Sequence, residues 1–235
     1  MTVESPKQFQ ENAGFQPDYR RKLQETLVHP SFVTWPSLLE GLGSDIPELK
    51  GIEFGYCGFG KDRYRLSDHS VDVVNGVKRN ERFKALDPED QELALVAALL
   101  HDIAKPRGAE GAAPDPDHGI PSAAIAKRIM RRPGYKYTSD QIEIVTWVIF
   151  YDELISGYAL GKRGFPRRPF YDLTPEALAR GIGKNPDRKI EILDILNKED
   201  VRVAVGDREY EKNQPFCREF LTKTTLCIKD LQPVT

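Results

Sequence analysis

Leu93-Ala-Leu-Val-Ala-Ala-Leu-Leu100 is an uninterrupted apolar run, and His101-Asp102 follows it directly. Asp87-Pro88-Glu89-Asp90 precedes the run and Pro106 follows it, which predicts a buried helix from Asp87 to about Ile103. An imidazole and a carboxylate at the end of such a helix are costly to bury unless something pairs them. A divalent metal ion pairs both groups. The stretch therefore predicts a helical core with a metal site at one helix end.

Two more donors lie far from this pair in sequence. His69 is 32 residues before His101, and Asp200 is 98 residues after Asp102. Val71, Val74 and Val77 recur at helical spacing after His69, and Asp200 lies in a segment, 187–205, that also reads as an amphipathic helix. Two imidazoles and two carboxylates from three helices balance one divalent cation.

The composition indicates one globular domain. The chain has 235 residues, 40% of them hydrophobic, and a net charge of -2, which argues against nucleic-acid or membrane binding by bulk charge. The three cysteines have no metal-binding spacing and fit a reducing compartment. No apolar run approaches the roughly 20 residues of a membrane span, and residues 1–14 lack a signal-peptide core. We therefore expect a cytoplasmic protein that does not bind membranes.

Helix signals cover most of the remaining chain, and no series of alternating strands is evident. Residues 1–17 are expected to form an arm, residues 43–66 an irregular connection, and Thr138 with Gln141 a capping box. Further helices are predicted at Asp18–Val28, Pro36–Leu42, from Ser67 onward, Gly119–Met130, Ile142–Ile155, from Thr174, Asp187–Val205 and Phe216–Leu231.

Three segments resemble the HD superfamily of metal-dependent phosphohydrolases, whose fold is all-α. They are Asp68-His-Ser-Val-Asp-Val-Val74, Leu99-Leu-His-Asp-Ile-Ala-Lys-Pro106 and Lys198-Glu-Asp-Val-Arg-Val-Ala204. Their order, spacing and helical context agree with the family over about residues 66–206. The resemblance implies an HD-type helical bundle, in which residues 61–235 form the catalytic domain and residues 1–60 an arm and helices packed on it.

The resemblance implies that His69, His101, Asp102 and Asp200 bind one divalent ion. Nitrogen and hard oxygen donors suit Mn²⁺, Fe²⁺, Co²⁺, Zn²⁺ or Mg²⁺. Four ligands on an ion that prefers six leave room for water and a phosphoryl oxygen. Taken alone, His101 and Asp102 also fit a solvated helix end.

Two residues near the predicted metal are candidates for catalysis. Lys105, one turn after His101, is expected to hold a phosphate oxygen, with a cation that complements the helix dipole as the alternative. A glutamate stands at this position in the nucleotidase branch of the family, so that branch is disfavoured. His118 resembles a family histidine that binds a second metal, contacts substrate or acts as an acid.

The second-metal role is disfavoured, because the two-metal branch has another late histidine where this chain has Phe150-Tyr-Asp152. His118 is therefore expected to contact substrate or transfer a proton. Asp152 fits either an acceptor that orients a ligand or His118, or a polar residue at a helix end. Asp72 and His29 are expected to lie outside the site.

A basic segment lies between the predicted Asp152 and Asp200 helices. Residues 162–189 contain eight basic and three acidic side chains, and we expect an insertion in which Arg163, Arg167 and Arg168 bind substrate. An ordinary solvated loop is the alternative, and sequence does not show whether residues 161–190 move.

The sequence thus predicts a metal-dependent hydrolase, either a phosphomonoesterase or a phosphodiesterase. Its substrate is expected to be a nucleotide, a phosphorylated small molecule or an RNA end. Two alternatives remain: a metal- and nucleotide-binding regulatory module without turnover, and an HD-type iron oxygenase. The metal identity and the oligomeric state are left open.

Overall fold

The computed structural model of the chain describes residues 18–53, 56–57, 64–105, 118–162 and 173–231. Within these residues the backbone forms eleven helices and one short strand pair. The helices are α1 (Tyr19–Leu27), α2 (Trp35–Leu42), α3 (Leu49–Ile52), α4 (Leu66–Arg79), α5 (Glu81–Ala85), α6 (Pro88–Leu100), α7 (Gly119–Met130), α8 (Ser139–Lys162), α9 (Pro175–Gly181), α10 (Pro186–Val205) and α11 (Asp207–Leu231). The predicted all-α fold is confirmed.

The strands occupy the segment that the sequence predicts as an irregular connection. Strand β1 (Tyr56–Cys57) and strand β2 (Tyr64–Arg65) are two residues long and pair antiparallel, with Tyr56 opposite Arg65. A pair this short adds little structure of its own. It leads directly into α4.

Helix α6 is the centre of the bundle. Every residue from Glu92 to Leu100 is buried, and α4, α8 and α10 pack around the helix. A helix that is apolar on all sides is stable only when other elements surround it. The burial continues into His101, Asp102 and Ile103, which therefore lie inside the protein rather than on its surface.

Helix starts follow the side-chain chemistry that the sequence indicates. The side chain of Asp87 accepts a hydrogen bond from the backbone N–H of Asp90, and Pro88 occupies the first turn of α6. At α8, Thr138 and Gln141 form the reciprocal bonds of a capping box, at 2.9 and 3.2 Å.

Two helices are longer than predicted. Helix α8 continues past Ile155 to Lys162, with Ile155 and Ala159 both buried, so packing outweighs the cost of about 1 kcal/mol for a glycine within the helix. Helix α11 begins at Asp207 rather than Phe216 and passes through Pro215, although proline usually ends a helix. The turn between α10 and α11 occurs at Gly206, whose φ of 78° favours glycine.

A buried carboxylate attaches α1 to the bundle. Glu92 of α6 accepts two hydrogen bonds from Arg20, at 2.8 and 2.9 Å, one from Gln24 at 2.6 Å and one from Tyr137 at 2.7 Å. Four donors satisfy this buried carboxylate. Among the described residues, no helix combines the length and the apolar character needed to cross a membrane.

We expect Glu92→Ala to lower the free energy of unfolding by about 3 kcal/mol, because the change leaves Arg20 and the Tyr137 hydroxyl without their acceptor. Urea unfolding followed by circular dichroism measures this loss. The control is Glu25→Ala, which removes an exposed carboxylate from α1 and should leave the unfolding midpoint unchanged. Equal midpoints for the two variants would contradict the role of Glu92.

Candidate metal centre

Three helices bring four donor side chains to one place. His69 lies in the first turn of α4, His101 caps the C-terminus of α6 with Asp102 in the turn after it, and Asp200 lies on α10. His69, His101 and Asp102 are at most 3% exposed. The Asp200 side chain is 19% exposed, so the cluster is open to solvent at Asp200.

The Nε2 atom of His69 is the common neighbour in this cluster. It lies 2.8 Å from Oδ1 of Asp200, 3.3 Å from Oδ2 of Asp102 and 3.2 Å from Nε2 of His101. The Nε2 atom of His101 in turn lies 3.4 Å from each of the two carboxylate oxygens.

A backbone carbonyl sets the orientation of the His101 ring. Its Nδ1 lies 2.8 Å from the carbonyl oxygen of Ala98. A carbonyl oxygen only accepts hydrogen bonds, so Nδ1 is the nitrogen that donates. In the neutral ring this leaves the lone pair of Nε2 directed at His69, Asp102 and Asp200, which is how metal-ligating histidines are usually oriented.

The donor set and its spacing fit a divalent metal ion. His69, His101 and Asp200 form a group whose ligand atoms lie within 4.8 Å of one another, and Oδ2 of Asp102 lies within 3.4 Å of both imidazoles. Adjacent ligands of an octahedral ion with bonds near 2.1 Å are about 3.0 Å apart. The observed separations surround this value, so the four side chains could ligate one ion.

Burial and opposite charge act against each other at these groups. Burial alone would lower the pKa of His101, but Asp102 and Asp200 outweigh it and raise that pKa to about 9. Burial alone would raise the pKa of Asp200, but hydrogen bonds with His101 and His69 hold it well below its usual value. The centre therefore favours positive charge between its carboxylates.

The two oxygens of Asp102 face different partners. Besides the imidazoles, Oδ2 accepts a hydrogen bond from Nζ of Lys105 at 2.5 Å. The other oxygen, Oδ1, lies 2.9 Å from Nε2 of His118, the residue that precedes α7. Burial alone would raise the pKa of Asp102, but His101, Lys105 and His118 hold it well below its usual value.

Asp152 lies behind the centre. It is 3% exposed on α8, and the side chain of Asn197 on α10 donates to its Oδ1 and to its carbonyl oxygen, at 3.1 and 2.9 Å. Burial and the charge of Asp200 raise the pKa of Asp152 to about 8. Of the two sequence alternatives, the structure excludes an exposed polar helix end.

The structure also gives the position of other side chains that the sequence singles out. Lys105 and His118 both reach Asp102, whereas Asp72 and His29 are exposed. Lys78 bonds to the carbonyl oxygens of His29 and Ser31. Trp35 and Trp147 are buried in the core, as expected for packing residues.

Sequence reasoning missed two residues near the centre. Glu153 lies 3.2 Å from Nδ1 of His118, and Asn197 bonds to Asp152. Neither residue belongs to one of the three segments that resemble the family. The signal for Asn197 is its place three residues before Asp200, almost one helical turn away on the same helix.

The predicted basic insertion is only partly described. Arg163, Arg167 and Arg168 lie outside the described residues. The described residues 173–189 are largely helical, and two of their cations form ion pairs within the bundle: Arg188 with Glu89 and Asp90, and Lys189 with Glu143. Lys189 is 1% exposed, so its charge is unavailable to a substrate.

A family model described as HD domain matches residues 66–196, which is 131 of the 235 residues. The chain therefore belongs to the HD domain family. The matched region contains His69, His101 and Asp102 but ends four residues before Asp200. The placement of Asp200 beside His69 thus comes from the fold rather than from the match.

A curated relative is a bifunctional uridylyltransferase/uridylyl-removing enzyme of Erythrobacter litoralis (strain HTCC2594). The two sequences are 26% identical over 107 residues, which cover 41% of this chain and 11% of the relative. The chain thus matches a small part of that protein's length. No solved structure matches the chain.

A glycine allows the close approach of α4 and α10, the helices that carry His69 and Asp200. A Cβ atom at Gly76 would lie 2.9 Å from Oε2 of Glu199 and 3.2 Å from its Cβ. We expect Gly76→Val to push the helices apart, lower the free energy of unfolding by about 1–3 kcal/mol and shift the imidazole NMR signals of His69. Urea unfolding and side-chain NMR measure both effects.

The matched control is Asp72→Val, which places the same β-branched side chain on the exposed face of α4. It should cost only the difference in helix propensity, well under 1 kcal/mol. If Gly76→Val behaves like this control, α4 and α10 are not in the close contact described here.

Proposed function

We propose that this chain is a divalent-metal-dependent phosphohydrolase that acts on a phosphate ester. The observation that carries the proposal is the convergence of His69, His101, Asp102 and Asp200, whose donor atoms lie 2.8–3.4 Å from Nε2 of His69 or of His101. The HD domain match supports the reaction class.

The four side chains are proposed to hold one ion per chain. Two imidazole nitrogens and two carboxylate oxygens suit Mn²⁺, Fe²⁺, Co²⁺, Zn²⁺ or Mg²⁺. When bound, such an ion lowers the pKa of water and stabilises negative charge on a phosphoryl group. The partial exposure of Asp200 supports access from that side of the cluster.

Lys105 is proposed to bind a phosphoryl oxygen of the substrate. Its ammonium group is 2.5 Å from Oδ2 of Asp102, and its side chain is 14% exposed. A lysine at the edge of a metal centre supplies a second positive charge where the substrate's negative charge arrives. A role for His118 in substrate contact or proton transfer stays a prediction.

The substrate class is proposed as a nucleotide, a phosphorylated small molecule or an RNA end. The name of the relative includes removal of a uridylyl group, which supports testing phosphodiesters of nucleotides beside monoesters. Arg163, Arg167 and Arg168 remain the proposed substrate-binding cations of the basic segment.

The first test is a panel of phosphate monoesters and diesters, including p-nitrophenyl phosphate, bis(p-nitrophenyl) phosphate, nucleotides and RNA with terminal phosphates, each with Mn²⁺, Mg²⁺, Co²⁺ or Zn²⁺. We expect chelator-sensitive hydrolysis, read as phosphate release from monoesters or as release of the alcohol from diesters, that falls at least about 100-fold in His101→Ala and in Asp102→Ala, because each change removes a ligand. His29→Ala, which removes an exposed histidine, should retain full activity.

Undiminished turnover in Asp102→Ala would overturn the proposal. Tight nucleotide binding without turnover under every metal would support a regulatory module instead. Two irons per chain with oxygen uptake would support an iron oxygenase.

Lys105→Met separates substrate binding from metal binding. Methionine keeps the length of the apolar stem but removes the charge beside Asp102. We expect turnover to fall about 100-fold, by loss of a charge at the phosphoryl group, while Mn²⁺ affinity is retained or rises because a competing cation has left Oδ2. Steady-state kinetics and Mn²⁺ titration give the two readouts.

Lys105→Arg is the matched control that keeps the charge. Weaker Mn²⁺ binding in Lys105→Met, with turnover restored by added metal, would contradict the substrate role and assign Lys105 to the organisation of Asp102.

A further inference from the structure

The two carboxylate oxygens of Asp102 have different neighbours, so the two contacts persist only if the carboxylate keeps one orientation. Oδ2 lies 3.3 Å from His69 and 3.4 Å from His101, whereas Oδ1 lies 2.9 Å from Nε2 of His118. The terminal torsion of an aspartate is broad and roughly two-fold, so little in the side chain itself selects one orientation. Lys105 bonds to Oδ2, and His118 lies against Oδ1, on the side away from the imidazole pair.

The His118 ring itself is held from its opposite edge. Nδ1 lies 3.2 Å from Oε2 of Glu153, so the ring bridges a carboxylate of the metal centre and a carboxylate of α8. His118 occupies the cap position of α7, yet its side chain makes no capping hydrogen bond with that helix. Its two nitrogens therefore contact the two carboxylates rather than the helix end.

The backbone brings His118 and Glu153 within reach of each other. A Cβ atom at Gly119 would lie 3.4 Å from the carbonyl oxygens of Ile149 and Phe150, so the start of α7 lies directly against α8. Glu153 is about one helical turn after these carbonyls. The packing of α7 on α8 sets the distance between these two residues.

From this geometry we propose that Glu153 is a positioning residue for the metal centre. Its carboxylate holds the His118 ring so that Nε2 stays against Oδ1 of Asp102 and Oδ2 stays directed at His69 and His101. The inference rests on the proposed function and deepens it, because it assigns to this chain a supporting contact that acts through Asp102. On this assignment Glu153 acts through the His118 ring, which it contacts at 3.2 Å, and not on the substrate.

A positioning role differs from a structural ion pair in what it stabilises. The Glu153 side chain is 25% exposed, and partly exposed pairs contribute little to the free energy of unfolding. Partners behind a metal ligand, in contrast, typically change metal affinity or activity by 10–100-fold. Loss of Glu153 should therefore weaken metal binding without much effect on stability.

The test compares Mn²⁺ affinity, measured by electron paramagnetic resonance of free Mn²⁺, with the urea midpoint in the full chain. We expect Glu153→Ala to weaken Mn²⁺ binding about 10-fold with little change in midpoint. Glu153→Gln should bind close to wild type, because its amide oxygen still accepts from Nδ1 of His118. The control is Asp140→Ala, which removes a carboxylate from the first turn of the same helix, about 20 Å away along its axis, and should change neither quantity.

Two further readouts separate positioning from a catalytic role. The imidazole ¹⁵N signals of His118 should shift in Glu153→Ala and return in Glu153→Gln. At saturating Mn²⁺, turnover of Glu153→Ala should recover, because the variant impairs metal affinity. A low kcat combined with wild-type Mn²⁺ affinity would overturn the positioning role.

Asp102→Ala distinguishes this inference from the proposed function. If Asp102→Ala binds Mn²⁺ like wild type, the proposed metal centre itself is wrong. If Asp102→Ala loses binding while Glu153→Ala matches Asp140→Ala in Mn²⁺ affinity and in the His118 signals, the inference about Glu153 is wrong and the proposed function stands.

Discussion

The structure depends on one electrostatic constraint, which is that the carboxylates of Asp102 and Asp200 lie in the interior beside two imidazoles. Isolated buried charges cost several kcal/mol each, so the arrangement is stable only when opposite charge or hydrogen-bond donors surround it. His69 and His101 supply nitrogens to both carboxylates, while Lys105 and His118 contact opposite oxygens of Asp102. A bound divalent cation would neutralise the same two carboxylates with a single ion.

The helical framework serves this centre by close approach. Gly76 lets α4 lie against α10, and Gly119 lets the start of α7 lie against α8. Helix α6 is buried from Glu92 to Leu100 and ends near these contacts, so His101 and Asp102, which follow it, lie inside the protein. Backbone packing of these helices thus sets where the side chains of the centre lie relative to one another. Because protein interiors are close-packed, this packing resists small displacements of the helices.

The basic segment shows where charge counts mislead. A surplus of Lys and Arg suggests a surface for phosphate, but Arg188 and Lys189 instead neutralise Glu89, Asp90 and Glu143 within the bundle. The local sequence contains no sign of these partners, which lie about 45 to 100 residues away. Glu153 was missed for the same reason, because its contact with His118 exists only after α7 packs on α8.

The sequence by itself determined the all-α class and the caps of α6 and α8, and it singled out the four side chains proposed as metal ligands, because periodicity, capping chemistry and short motifs act over a few neighbouring positions. The tertiary structure decided the length of α8 and α11, the partners of the cations, and the separation of Nε2 of His69 from Oδ1 of Asp200. All three features depend on contacts between residues that are distant in sequence. Such contacts bury apolar surface or pair a buried charge, and the free energy they contribute outweighs local helix propensity.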